Sequence, residues 1–239
     1  MSAELFGFEI NTLRFEEALK KAVFYIENDK PAQVITINPE MFLEAEKNED
    51  FVSVIKNAEI IIPDGIGVKI ALSINGVESE RIPGIDFAKQ LLNKAVGKNW
   101  SVAIVGAKEE IINKAALNLK SEYPSLNLVY LHNGYFDNDG EIYEELKEAN
   151  PDLVLVAMGS PRQEFFISGA KKVLNKGLMI GIGGSLDVWS GNVKRAPKFF
   201  QITGTEWLYR TITQPVRFKR IFPTLPLFLL KAIKYKFIK

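Results

Sequence analysis

The sequence predicts an α/β fold, a mostly parallel Rossmann-like sheet with helices on both faces, followed by a basic helical appendage. Three observations carry this. Short β-branched runs alternate with amphipathic segments through about residue 195. Those runs are apolar along their whole length, as strands covered on both faces must be. From about Pro197 the chain turns basic, aromatic and helical, and no further strand pattern follows. The boundaries fall at 1–196 for the α/β domain and 197–239 for the appendage.

Taken in order, residues 14–29 read as a helix, with Phe15, Ala18, Leu19, Ala22, Val23 and Ile26 on one face. Residues 32–37 (AQVITI) read as a buried strand. Residues 39–58 are helical in two pieces, broken near Asn48, and 59–62 (EIII) are a second short strand. A helix over 86–96, a strand over 100–105 (WSVAIV), a helix over 109–123 and a strand over 126–131 follow. Two more strands, 152–157 (DLVLVA) and 178–182 (LMIGI), flank a helix over 163–174. In the appendage, 205–213 and 225–236 are helical, with Pro215 between them. Leu225, Phe228, Leu229, Ala232 and Ile233 form the apolar side of the last helix.

Composition removes several function classes. With 239 residues, 47% hydrophobic and 25% charged, the chain is globular rather than disordered. Cysteine is absent, which excludes disulfides, thiolate metal sites and cysteine nucleophiles. His132 is the single histidine, so a two-histidine site is excluded, and no role is assigned to it. The net charge of +1 hides an asymmetry: after Asp187 there are 11 Lys and Arg against one acid, Glu206. An acidic body with a basic, aromatic tail predicts contact with anionic lipid rather than with nucleic acid. The apolar side of that tail offers a surface for homo-oligomerisation away from membrane. The start of the chain carries neither a basic nor an apolar targeting region, and 221–230 is too short and proline-broken to span a bilayer, which predicts a cytoplasmic chain.

In an open parallel sheet, ligands bind beyond the carboxyl ends of the strands. Five strand ends carry turn and polar residues. They are Thr36-Ile37-Asn38-Pro39-Glu40, Pro63-Asp64-Gly65, Gly106-Ala107, Gly159-Ser160-Pro161-Arg162-Gln163-Glu164 and Gly181-Ile182-Gly183-Gly184-Ser185. Together they predict a polar crevice with exposed backbone N–H groups, suited to a nucleotide diphosphate. Each has a plainer reading. Asn38-Pro39-Glu40 is a good helix start, and Asp64-Gly65 is a common turn. The late G-x-G-G around Gly183 is not a dinucleotide fingerprint, which argues against an oxidoreductase. Asp137-Asn138-Asp139 spells D-x-D but reads as a loop before Gly140. Arg210, Arg217 and Arg220 share one side if the helix runs through Pro215, and three arginines on a face suit phosphate.

These residues, taken jointly and in order, carry a resemblance. With residues 81–86 (RIPGID), Gly134-Tyr135-Phe136, residues 183–197 (GGSLDVWSGNVKRAP) and Glu206-Trp207-Leu208-Tyr209-Arg210, the chain resembles the WecG/TagA/CpsF glycosyltransferases, family twenty-six. The resemblance covers nearly the whole chain. It implies an inverting, metal-independent bacterial enzyme without cofactor. Such an enzyme moves a sugar, N-acetylmannosamine first among the candidates, from a UDP-sugar to a polyprenyl-diphosphate-linked GlcNAc, in wall teichoic acid or surface polysaccharide synthesis. Glucose, glucuronic acid and N-acetylmannosaminuronic acid are the family's other donors.

The resemblance implies a catalytic base at Asp64 and substrate-binding roles for Thr36, Asn38, Arg81 and Gln163. Gly183, Gly184 and Ser185 join them as the last strand end. It also implies that residues 197–239 touch the inner face of the membrane and close the site, with Arg210, Arg217 and Arg220 reaching the diphosphate. One departure stands out: Arg162 occupies the place of the family's Lys before Gln163. A non-catalytic nucleotide-binding module at the membrane is the reading from outside this class, and sugar-nucleotide turnover separates the two.

Overall fold

The computed structural model describes residues 1–213 and 218–238, without the side chains of residues 210, 218–222 and 238. The chain opens on an antiparallel hairpin, β1 (Ser2–Leu5) and β2 (Phe8–Asn11), before α1 (Phe15–Glu27). The main sheet contains β3 (Ala32–Ile37), β4 (Ile60–Pro63), β5 (Ser101–Gly106), β6 (Asn127–His132), β7 (Leu153–Ala157) and β8 (Leu178–Gly181). All six are parallel, in the order β4-β3-β8-β7-β5-β6.

Helices make each crossover. They are α2 (Pro39–Ala45) and α3 (Glu49–Lys56) after β3, then α4 (Ile66–Ile74) and α5 (Gly84–Lys98) after β4. Next come α6 (Glu109–Glu122), α7 (Asp139–Ala149) and α8 (Arg162–Val173). After β8 the chain continues through α9 (Ser185–Trp189), α10 (Lys198–Ile202), α11 (Glu206–Thr213) and α12 (Phe218–Ile238).

The strands are buried on both faces, as their unbroken apolar runs require. Val34, Ile60, Ile62, Ile104 and Ile180 point to the layer of α1, α5 and α6. Their neighbours Ile35, Ile37 and Ile61 point to α2, α3 and α4. Ala103, Val105, Val154 and Val156 face α7 and α8. After β4 the chain crosses to the far half of the sheet, and β7 and β8 later return to fill the middle. The strand order therefore turns around beside β3 and β8, and a crevice opens there.

The fold has elements the hydrophobic pattern does not announce. The β1–β2 hairpin has strands of only four residues, joined at Phe6 and Gly7 with φ of 52° and 78°. It lies against the edge strand β4, where Asn11 Oδ1 accepts from Ile61 N at 2.9 Å, and so covers an otherwise open edge. The D-x-D triplet is a helix start: Asn138 caps α7 by accepting from Gly140 N at 3.0 Å.

The last helix differs from its sequence reading in what it does with its apolar side. Phe228 and Ala232 are fully buried in the same cluster as Ile35, Met41 and Val68. The Phe228 ring stands 5.6 Å from that of Phe6 and 5.2 Å from that of Phe42. The stripe that reads as a surface for lipid or self-association is therefore largely covered by the body, because α2 and α4 leave an apolar gap over β3 and β4. Ile233 of that stripe is left 44% exposed, and Leu227, Leu230 and Phe237 of α12 stand exposed as well, together with Phe199 and Ile202 of α10 and Ile212 of α11. Among the described residues no helix is long and apolar enough to cross a membrane.

Candidate active site

A cavity of about 450 Å³ opens above the carboxyl ends of β3, β4, β7 and β8, within the usual range for a ligand pocket. Asp64 follows β4 directly. Its backbone N–H donates to Ile37 O at 2.9 Å, which locks the end of β4 to the end of β3. Gly65 then takes φ +81°, and this turns the chain straight into α4. Asp64 is thus presented at the mouth of the sheet with its backbone fixed. Burial pushes its carboxyl up to about 6; the N–H groups of Gly84 and Gly65 and the charge of Arg81 pull the other way, and Glu206 adds to the rise. The outcome is a carboxylate whose proton affinity lies near neutral pH, as a general base requires.

Thr36 and Asn38 flank it on the neighbouring strand. A Cβ at Gly84 would stand 3.1 Å from Thr36 Oγ1, so glycine there lets the start of α5 close on Thr36. Asn38 has two tasks: its Oδ1 caps α2 by accepting from Glu40 N at 3.0 Å and Met41 N at 3.2 Å, while the residue lines the cavity. The plainer helix-start reading is therefore borne out, and it leaves Asn38 at the cavity wall.

On the opposite wall Gln163 is 6% exposed and held at both ends of its amide. Nε2 donates to Glu164 Oε1 at 2.7 Å, and Oε1 accepts from Gly183 N at 3.1 Å. A Cβ at Gly181 would fall 2.3 Å from Gln163 Nε2, so the strand end must be glycine for the amide to lie there. Glu164 is itself buried, and burial raises the pKa of its carboxyl. Ser185 donates its hydroxyl to Ile182 O at 2.6 Å, and Gly184 caps the short α9.

The cavity roof comes from the C-terminal helices through Glu206, Trp207, Thr224 and Leu225. Arg81 reaches from the body to this roof, donating to Gln201 O and standing 4.0 Å from Glu206. Arg195 binds both oxygens of Asp86 at 2.7 Å and stands 3.5 Å from Glu206.

Eight of the residues singled out in the sequence therefore line one cavity: Thr36, Asn38, Asp64, Arg81, Gln163, Gly183, Gly184 and Ser185. One strand end does not. Gly106-Ala107 lies outside the lining, because β5 sits beyond β7 and Gly106 is pressed against Ala157 and Gly134. Arg217 lies outside the described residues, and so do the side chains of Arg210 in α11 and Arg220 in α12. Glu206 and Trp207 were not legible as site residues from their motif alone. Yet Glu206 carried a signal, as the one acid in the last 52 residues.

The family model described as Glycosyl transferase WecG/TagA/CpsF family matches residues 3–239. The chain belongs to this family. Two relatives agree with it, both named N-acetylglucosaminyldiphosphoundecaprenol N-acetyl-beta-D-mannosaminyltransferase. One, from Bacillus subtilis, is 38% identical over 94% of this chain and 87% of its own. The other, from Bacillus spizizenii, is 36% identical over 89% of this chain and 82% of its own. This member of the WecG/TagA/CpsF family is a glycosyltransferase, and several of the motifs quoted above meet around its cavity.

Proposed function

We propose that the chain transfers N-acetylmannosamine from its UDP-sugar to a polyprenyl-diphosphate-linked GlcNAc, with inversion and without a metal, in cell-wall polymer synthesis. The observation that carries the reading is Asp64: a carboxylate at a strand end, its proton affinity near neutral, in a cavity shared by the body and the C-terminal helices. The names of the two relatives support this donor and acceptor over the family's other donors.

In this mechanism the acceptor hydroxyl oxygen bonds to C1 of the donor sugar as the bond from C1 to the diphosphate oxygen breaks. The hydroxyl proton passes to Asp64, and UDP leaves with the bonding pair. Thr36, Asn38 and Gln163 hold the sugars. Arg81 and the backbone N–H of Gly184 meet the charge that develops on the leaving diphosphate, while the Gly183 N–H stays on Gln163. Arg210, Arg217 and Arg220 supply the remaining charge from the C-terminal segment. The exposed apolar side chains of α10–α12, with Lys234 and Lys236, seat the chain on the cytoplasmic face of the membrane, where the acceptor lies.

The test is transfer from a panel of UDP-sugars to a polyprenyl-diphosphate-GlcNAc analogue on anionic vesicles in EDTA. Transfer from UDP-N-acetylmannosamine, lost about 10²–10⁴-fold in Asp64→Asn, is the expected result. Near-wild-type turnover in Asp64→Asn removes the base assignment. Transfer only from another donor replaces the donor, and a requirement for Mn²⁺ removes the metal-independent mechanism.

A further inference from the structure

We propose that Glu206 is a positioning residue for the transfer reaction: by holding Arg81 it ties the seating of the C-terminal helices to the charge that Arg81 presents to Asp64. This rests on the reading of Asp64 as the base.

The geometry is a relay of alternating charges. Arg81 lines the cavity with Asp64, its segment tied beside the end of β4 by Ile82 N donating to Pro63 O at 2.9 Å, and it stands 4.0 Å from Glu206 in the first turn of α11. Behind Glu206 stands Arg195 at 3.5 Å, itself bound to Asp86 of α5 through two bonds of 2.7 Å. Glu206 is only 13% exposed at its side chain, and Arg81 only 16%, so their interaction is weakly screened. Glu40 of α2 is the other carboxylate on the cavity wall.

Two features make Glu206 a group that acts through Arg81 rather than a surface ion pair. First, Arg81 is gripped twice by the C-terminal segment, once by Glu206 and once by the carbonyl of Gln201 in α10. Its guanidinium is therefore placed by elements outside the body. Second, Glu206 is the only acid in a segment carrying 11 Lys and Arg, so it is the one negative side chain that segment brings to Arg81. An unopposed Arg81 beside Asp64 stabilises the carboxylate and makes it a poorer base. With Glu206 in place that pull is partly offset, and the burial of Asp64 keeps its proton affinity high. Gly204 lets the roof come this close: its φ is +72°, and a Cβ there would stand 3.1 Å from Ile66 and 3.5 Å from Arg81 Nε.

The experiment titrates Asp64 in the full chain by carboxyl ¹³C NMR, with Asp64→Asn for assignment, alongside the pH dependence of kcat/KM. Glu206→Gln keeps the shape of the side chain and removes its charge. Its Asp64 midpoint and the acid limb of kcat/KM move together to lower pH by about half a unit or more. Glu206→Asp, which keeps the charge, returns most of that shift. Arg195→Gln leaves Glu206 less neutralised and moves the midpoint the other way, to higher pH. The signs are opposite, so whichever variant folds decides the matter, and a merely structural role moves neither midpoint with a definite sign. An unmoved midpoint in a folded Glu206→Gln or Arg195→Gln protein overturns the proposal. Loss of the base assignment is seen separately, as turnover retained by Asp64→Asn.

Discussion

Leu225 of α12 lies directly on Gly67 in the first turn of α4: a Cβ at Gly67 would stand 2.6 Å from Leu225 Cδ1 and 2.7 Å from Pro39 Cγ. Three segments far apart in sequence meet at this point. Pro39 opens α2 beside Asn38, Gly67 lies three residues after Asp64, and Leu225 belongs to the cavity roof. The absence of a side chain at Gly67 is what lets the roof settle at this height.

Gly67→Ala is therefore expected to push Leu225 outward. Overpacking of this kind costs about 1–3 kcal/mol, and a thermal melt measures it. Because Leu225 lines the cavity, kcat/KM falls with it. Leu225→Ala, made on top of Gly67→Ala, gives part of the activity back. Strictly additive losses in the double variant show that the two residues do not share a contact.

In its proposed role as base, Asp64 ties activity to pH in one direction. With its pKa raised to about 6, kcat/KM rises with pH through that value and levels off above it. Its effect on stability runs oppositely. The folded state holds the proton more tightly than the unfolded chain, whose value is 3.8, so stability is lost as pH rises from about 4 through about 6. Asp64→Asn removes the buried charge. The variant should unfold later than the native chain at pH 7.5, by about 1–2 kcal/mol, and this advantage should vanish as pH falls toward 4. Thermal melts at the two pH values decide it, and an Asn variant less stable at pH 7.5 contradicts it.

Two residues of α12 separate packing from surface charge. Phe228 is fully buried among Phe6 and Phe42, whereas Lys231 pairs with Glu46 at 2.8 Å on a half-exposed surface. Phe228→Ala is expected to cost about 3–5 kcal/mol, and Lys231→Ala no more than about 1 kcal/mol. Urea titrations with a constant slope measure both. Similar small losses for the two variants mean that α12 is held outside the core.

Exposed apolar residues on the last helices test the membrane reading. Ile202 is 84% exposed and Phe237 82%. Replacing either with Glu leaves the melting temperature within about 1–2 °C, since neither packs on the body. Co-sedimentation with anionic vesicles should drop several-fold for each, and further in high salt. Unchanged sedimentation moves the contact to another surface.

The sheet and most of its helices were legible because burial on both faces leaves an unmistakable pattern. Residues 32–37, 100–105, 152–157 and 178–182 are almost wholly apolar. The β1–β2 hairpin was not, since four-residue strands carry too few alternations to stand out. Neither α4 nor α7 was read as a helix: α4 hid behind Asp64-Gly65, which reads equally as a turn, and α7 behind the polar D-x-D at its start. Seven of the eight cavity residues stood out because they lie at strand ends, and the carboxyl ends of parallel strands all face the same way; Arg81, between α4 and α5, came only from the resemblance. Gly106-Ala107 obeyed that rule and still missed the cavity, because the rule does not say where β5 stands in the sheet.

The sequence by itself determined the alternation of strand and helix, the family motifs, and the split between an acidic body and a basic end. These are properties of near neighbours in the chain, visible in spacing and composition. The tertiary structure alone decided that the apolar side of α12 packs over β3 and β4, that Glu206 reaches Arg81, and that Asp64 sits where burial lifts its pKa to about 6. Each of these is a distance between residues far apart in the chain. Burial and charge interaction depend on such distances, which sequence spacing does not record.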